Sequence, residues 1–317
     1  VVRVSGDHPE LARDEVLSLL ELFGVRCILR FSKGVYLTIQ IDEMNAVALG
    51  EILGRAGLLL AAGVPAPPGD GRYNVEVWRV KKEVDADEAR RRIREVRAEL
   101  GKKGVEIVLS GRGRGDAALY LSRDETLFLK ILHRRGGEIL KRSNTYRPFR
   151  KPISMDPRLA RACVNLLRIP LGEVFLDPFC GTGGIAIEAA LLGYRTFIAD
   201  ADPEMVQGAL LNFHSLSLNP NFHVVSEVRD LPCYLPERAY GLATDIPYGR
   251  SSRTFGNPVD DLLSNLDGLV KRGGKALLVL HQEETVEKIE AQHKVLKRYE
   301  ERVHRSLLRR FILLSPD

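Results

Sequence analysis

Between residues 174 and 280 the chain repeats one unit: a short apolar run, a turn, then a stretch with helical period. The runs cover 174–176, 196–199, 222–225, 241–244 and 276–280, with helical patterns over 185–192, 203–216 and 259–270. Strands separated by helices need crossover connections, so this half is expected to form a doubly wound, mainly parallel α/β sheet. Such sheets bind ligands beyond the carboxyl ends of their strands. Each of the first four runs ends at or just before an acid: Asp177, Asp200, Glu227 and Asp245. A helix cap or a solvated loop accounts for any one of them. The repetition favours a shared ligand.

The first turn reads Asp177-Pro178-Phe179-Cys180-Gly181-Thr182-Gly183-Gly184. Its glycines let a ligand approach the backbone and present N–H groups at a helix start. The spacing is not G-x-G-x-x-G, and a carboxylate ahead of the loop would repel a pyrophosphate. It suits a cationic donor such as S-adenosylmethionine. The expected donor site comprises Asp177, Phe179, Gly181, Thr182, Gly183 and Gly184. Asp200, with Ala201, is placed at the ribose hydroxyls, and Glu227 or Asp230 at an adenine amino group.

Asp245-Ile246-Pro247-Tyr248 combines a carboxylate, a stiff turn and an aromatic face. These four are the expected catalytic residues. The Asp245 carboxylate and the Ile246 carbonyl would each accept an N–H from one exocyclic amino group, aiming its lone pair at the donor methyl. Tyr248 would stack on the base and Pro247 would stiffen the loop. In-line displacement of this kind requires no metal and no covalent enzyme intermediate. His281 and His304 fall near strand ends and are expected to be structural.

The net charge of +5 is unevenly spread. Residues 130–168 hold eleven cations and two anions, whereas the flanking segments are balanced or slightly acidic. A solvated linker is one reading of such a run; a polyanion partner, bound in a salt-dependent way, is the other. The interleaved Tyr146 and Phe149 favour nucleic acid. The expected RNA contacts are Arg134, Arg135, Lys141, Arg142, Arg147, Arg150 and Lys151, joined by Arg112 and Arg114 of the Gly111–Gly115 loop, which reads equally well as a hairpin turn. The four cysteines are scattered and suggest neither zinc nor a disulfide framework. No apolar run approaches the ~18 residues of a membrane span, and the N-terminus lacks a signal-peptide layout, so a cytoplasmic protein is expected.

In the first half, strands are expected over 1–4, 25–30, 34–40, 73–80, 104–109, 117–121 and 126–132, with helices over 9–22, 45–60 and 86–100. Trp78 and Phe128 are expected in a core. The Pro- and Gly-rich stretch 61–71 marks a first boundary, and residues 144–169 join the halves through a helix over 157–167.

The chain resembles class I S-adenosylmethionine-dependent methyltransferases, and more narrowly the archaeal tRNA guanine-10 N2-methyltransferases. Leu176–Gly184, Thr244–Ser251, the helix at 156–166 and the tail 302–307 carry this resemblance. Ile246 stands where proline is commoner, and Glu227 where the family usually has Asp. The resemblance implies an N-terminal α+β ferredoxin-like subdomain (1–60), a THUMP domain (61–143), a basic linker (144–169) and a Rossmann-like methyltransferase domain (170–317). It implies methylation of guanosine N2 in tRNA, most simply at position 10 and in two successive steps; separately, a monomer is expected. The alternatives are another tRNA guanosine such as position 6, an adenine N6, a protein glutamine, or a non-catalytic RNA-binding protein with a degenerate methyltransferase fold.

Overall fold

The structure is a computed structural model that describes residues 1–110, 115–152, 154–247, 257–304 and 307–316. The first half runs β1 (Val2–Val4), α1 (Pro9–Leu22), β2 (Cys27–Lys33), β3 (Tyr36–Ile41), α2 (Ala46–Gly54), β4 (Leu59–Pro65), β5 (Gly71–Arg79), α3 (Ala86–Gly101), β6 (Val105–Leu109), β7 (Ala117–Leu121) and β8 (Thr126–Arg134). Two units emerge. The first holds Val1–Val16, Phe23–Arg55 and Leu59–Arg135; the second holds Gly136–Asp317 with Leu17–Leu22 and Ala56–Leu58.

The first unit is built on one eight-stranded sheet, ordered β2-β3-β1-β4-β8-β7-β5-β6. Trp78, Tyr36 and Tyr120 pack on one another, and Trp78 is fully buried. Phe128 is half-buried against the cluster around Val75, Ile107 and Leu119. The helix expected over 45–60 stops at Gly54, and Leu59–Pro65 becomes a strand paired with both β1 and β8. One sheet therefore runs across residues 60 and 61, where the composition suggests a boundary. The stretch 61–71 begins inside a strand; Pro65 is the last paired residue of β4, and Pro67 and Pro68 follow it. β5 lies between β6 and β7 and is parallel to both, so β6 and β7 do not pair as a hairpin. Residues 111–114, including Arg112 and Arg114, lie outside the described residues.

The second unit runs α4 (Pro157–Leu166), β9 (Val174–Asp177), α5 (Gly184–Leu191), β10 (Arg195–Asp200), α6 (Pro203–His214), β11 (Phe222–Val225), β12 (Ala239–Asp245), α7 (Pro258–Leu269), β13 (Val270–Leu280), α8 (Glu283–Gln292), β14 (Lys294–His304) and β15 (Leu307–Ser315). Its seven-stranded sheet has the order β11-β10-β9-β12-β13-β15-β14. The first five strands in that order are parallel; β15 runs antiparallel to both its neighbours. Strand order reverses between β9 and β12, which creates the crevice where such sheets take ligands. Leu176, Phe197, Leu242 and Leu278 join Leu262 and Leu266 of α7 and Ile289 of α8 in one core. This burial on both faces explains why the strands read as continuous apolar runs. Asp156, Asp202 and Asn257 cap α4, α6 and α7 by accepting backbone N–H bonds, each just ahead of a proline that starts the helix. Among the described residues no helix is long and apolar enough to cross a membrane.

Candidate active site

The expected acids sit where the strand pattern puts them. Asp177 ends β9, Asp200 ends β10, Asp245 ends β12, and Glu227 follows β11. Parallel register aligns them: Asp177 lies opposite Ile198, Asp200 opposite Val225, and Asp245 opposite Val279.

Asp177 is buried, and its Oδ1 accepts the Thr244 hydroxyl at 2.7 Å, bridging the switch between β9 and β12. Burial pushes its carboxyl up to about 7; the Thr244 hydrogen bond opposes the rise, and the charges of Asp200 and Asp245 add to it. Asp200 is also held above the ordinary carboxylate range, chiefly by burial, although the N–H groups of Asp202 and Gly181 stabilise its charge. Those donors reach Oδ1 and Oδ2 at 3.0 and 2.9 Å. Among the described residues neither Asp177 nor Asp200 pairs with a lysine or arginine.

The glycine loop closes as a turn, with Gly183 N–H donating to the Cys180 carbonyl at 2.7 Å. Gly183 has a φ of +78°, and a Cβ there would press on Ala209 and Phe213 of α6 at 3.2 and 3.3 Å. Glycine is required for both reasons. The Thr182 hydroxyl meets the basic segment: Oγ1 accepts from Arg147 Nη1 at 3.2 Å and lies 3.4 Å from Ser154 Oγ. Its carbonyl accepts from Asn212 Nδ2 at 2.9 Å. Asn212 also holds both backbone polar groups of Phe149, whose N–H donates to Oδ1 at 2.9 Å and whose carbonyl accepts from Nδ2 at 3.0 Å. The basic segment thus grips the back of the loop. Phe179 packs against the core beneath it, and Ala201 begins the turn after β10.

Beyond β11, Arg229 pairs with Glu227 at 2.9 Å and lies 3.7 Å from Asp230; the Glu227 side chain is the more buried of the two acids. In the Asp245 segment, Ile246 is buried and its N–H donates to the Val279 carbonyl at 3.1 Å, which pins the turn to β13. Pro247 is half-buried. Tyr248 and the following Gly249, Arg250 and Ser251 lie outside the described residues.

The expected RNA-facing cations divide into groups. Arg142 forms a two-pronged pair with the buried Glu188 at 2.7 and 3.0 Å, and Arg147 is itself buried. Arg134 pairs with the buried Glu76 and donates to the Gly115 carbonyl at 2.6 Å. Lys151 pairs with Glu204 and lies over the Phe149 ring. Arg135 is half-buried, and Lys141 and Arg150 are exposed.

Two residues at this site escaped the sequence reading. Asn212 occupies a buried position beside Ala209 and Phe213 of α6, and a polar residue on an apolar face was the available signal. His281 was expected to be structural, yet its Nε2 lies 3.1 Å from Asp245 Oδ1.

A parallel sheet with one antiparallel strand, a glycine turn after its first strand and acids at successive strand ends define a Rossmann-like class I methyltransferase domain, a fold whose donor is S-adenosylmethionine. Residues 144–310 match UPF0020, the RMKL-like methyltransferase domain. A protein of Pyrococcus abyssi named tRNA (guanine(10)-N2)-dimethyltransferase is 30% identical over 99% of this chain and 98% of its own length. One of the same name from Methanothermobacter thermautotrophicus is 40% identical over 51% of this chain, a match spanning 49% of that protein. The crystal structure of TrmN from Thermus thermophilus shares the fold at a TM-score of 0.55 and 20% identity, over 99% of both chains. The chain belongs to the RMKL-like methyltransferases and, within them, to the archaeal tRNA (guanine(10)-N2)-dimethyltransferase family.

Proposed function

We propose that this chain methylates the exocyclic N2 of guanosine 10 in tRNA, in two successive steps, using S-adenosylmethionine in the cytoplasm. The observation that carries the reading is the placement of Asp245–Pro247 at the end of β12, across the strand-order switch from the Asp177 loop. The relationship to the Pyrococcus abyssi protein over nearly the whole of both chains supports the tRNA target.

The residues present fit a cationic donor. A buried carboxylate, Asp177, and a half-buried one, Asp200, neither with a cationic partner among the described residues, lie beside an open glycine turn. Asp177, Gly181 and Gly183 would hold its methionine end, Asp200 and Ala201 its ribose, and Glu227 or Asp230 its adenine. S-adenosylmethionine supplies an electrophilic methyl group when bound. Guanine N2 is a poor nucleophile because its lone pair is delocalised into the ring. Asp245 and the Ile246 carbonyl would each accept one N–H, freeing that lone pair and stabilising the charge that develops on nitrogen. Asp245 then takes the released proton, directly or through water. Tyr248 would stack on the base, which must leave its stem to reach the pocket. The first unit and the exposed cations would hold the tRNA by shape and phosphate contacts.

The test is Asp245→Ala assayed on unmodified tRNA by mass spectrometry of the nucleosides. Turnover is expected to fall by about 10³-fold, at the upper end for loss of one oriented polar group, with tRNA binding retained. Wild-type-like methylation by the variant would sink the mechanism. Methylation that persists in tRNA carrying adenosine at position 10 would move the target elsewhere.

A further inference from the structure

His281 follows the last residue of β13, two positions beyond the Val279 that pairs with Asp245 and anchors Ile246. Parallel register therefore carries the imidazole alongside the catalytic turn. Its side chain is only 5% exposed, whereas that of Asp245 is 27% exposed. The Asp245 carboxylate is thus reached by a buried ring through Oδ1 at 3.1 Å, while the side chain as a whole keeps an open aspect. The ring's own backbone is tied down, since Arg310 Nη1 on β15 donates to the His281 carbonyl at 3.2 Å. Arg310 is in turn fixed by the β13–β15 ladder, where it pairs with Leu280.

A carboxylate at a strand end can rotate, and its two oxygens exchange roles when nothing holds one of them. A ring that donates from Nε2 to Oδ1 ends that exchange and selects the imidazole's tautomer. From this geometry we infer that His281 is a positioning residue for methyl transfer: it fixes Asp245 through Oδ1 so that Oδ2 faces the substrate amino group. The inference rests on the function proposed above and deepens it. Asp245 supplies the acceptor; His281, buried behind it, sets where that acceptor points. A histidine suits this place because its donor sits at the end of a rigid planar ring, whereas a flexible donor would leave the carboxylate free to turn.

The test compares His281→Phe and His281→Gln in the full chain. Phenylalanine keeps the ring volume and removes the donor; glutamine keeps a donor near the Nε2 position. S-adenosylmethionine affinity is read by calorimetry, and kcat and KM for tRNA from nucleoside analysis. His281→Phe is expected to lower kcat about 10²-fold, the order of loss that follows a ~1 Å misplacement, with donor affinity and KM for tRNA near wild type. His281→Gln is expected to recover most of that loss. Undiminished kcat in His281→Phe overturns the inference, because the ring would then serve packing alone; equal losses in both variants with donor binding intact overturn it as well, because a restored donor would then recover nothing. Wild-type protein that binds donor yet methylates no guanosine overturns the proposed function, and the inference with it. Active wild type with an active His281→Phe removes the inference alone.

Discussion

Glu188 on α5 and Asp177 at the end of β9 lie close in sequence, in one domain, and both are buried. Their surroundings are opposite. Glu188 meets two guanidinium groups: Arg142 at 2.7 and 3.0 Å, and Arg161 at 2.8 Å. Asp177 meets a hydroxyl and a backbone N–H, with two further acids nearby. The fold had cations available, because eleven lie in residues 130–168, and it directs two of them to the helix rather than to the strand end. A buried charge without a partner is costly unless it takes up a proton. Glu188 is paired within the structure and ties the basic segment to α5. Asp177 has no cationic partner among the described residues, which is the arrangement the proposed donor site requires.

The largest effect that sharpens this contrast is loss of stability in Glu188→Ala. Two arginines would be left facing a cavity, and breaking a buried pair costs about 3–5 kcal/mol. Urea denaturation should show it as a lower midpoint at unchanged slope. A loss within ~0.5 kcal/mol would mean that the triad is no latch. Asp177→Asn should do the reverse, costing donor affinity and not stability. The shape is kept, so S-adenosylmethionine binding is expected to weaken roughly 10²-fold, the scale of an opposite charge shifting a neighbour by ~2 pK units.

Acid–base linkage gives this second variant a further signature. The folded-state pKa of Asp177 is raised from 3.8 to about 7, so the folded protein holds an extra proton between those values. Its stabilising contribution is fully present below the lower value and is lost as pH rises through the upper one. Asp177→Asn should therefore be more stable than wild type above pH ~8, by at most ~4 kcal/mol at 1.36 kcal/mol per unit. Wild-type affinity for the donor cation should rise with pH by up to about tenfold per unit below ~7, then level off. Calorimetry across that range checks both, and a flat wild-type profile would show that Asp177 is already ionised.

Most of the donor half was legible in the sequence because it depends on local pattern. Strands buried on both faces read as apolar runs, and the acids fall at their ends whatever the tertiary detail. The strand Leu59–Pro65 was missed, its first two residues read as the end of a helix and the rest as a boundary, because a short apolar run after α2 carries no decisive period. The hairpin of β14 and β15 was missed because its strands mix charged residues with apolar ones. The contacts that organise the site were not legible at all. Arg142 meets Glu188 across 46 residues, Asn212 meets Phe149 across 63, and His281 meets Asp245 across 36. Nothing local distinguishes an arginine that will turn inward from one that will face solvent. A charge run read as one polyanion surface is therefore divided by the fold.

That division sets the smallest effect and the finest test. Lys141 and Arg150 are exposed, whereas Arg142 and Arg147 are taken up by Glu188 and Thr182. If phosphates are met by the exposed members, Lys141→Gln and Arg150→Gln should each reduce the slope of log affinity for tRNA against log salt by about 0.7–0.9. Each should leave thermal stability nearly unchanged, because the Lys141–Glu138 pair is exposed and such pairs contribute about 0–1 kcal/mol. Arg142→Gln should behave the other way, lowering stability by a few kcal/mol, roughly the 3–5 of a broken buried pair, at an unchanged salt slope. A salt slope that falls for Arg142→Gln and holds for Arg150→Gln would show that tRNA draws the inward arginine out of its pair, and the line between latch and surface would have to be redrawn.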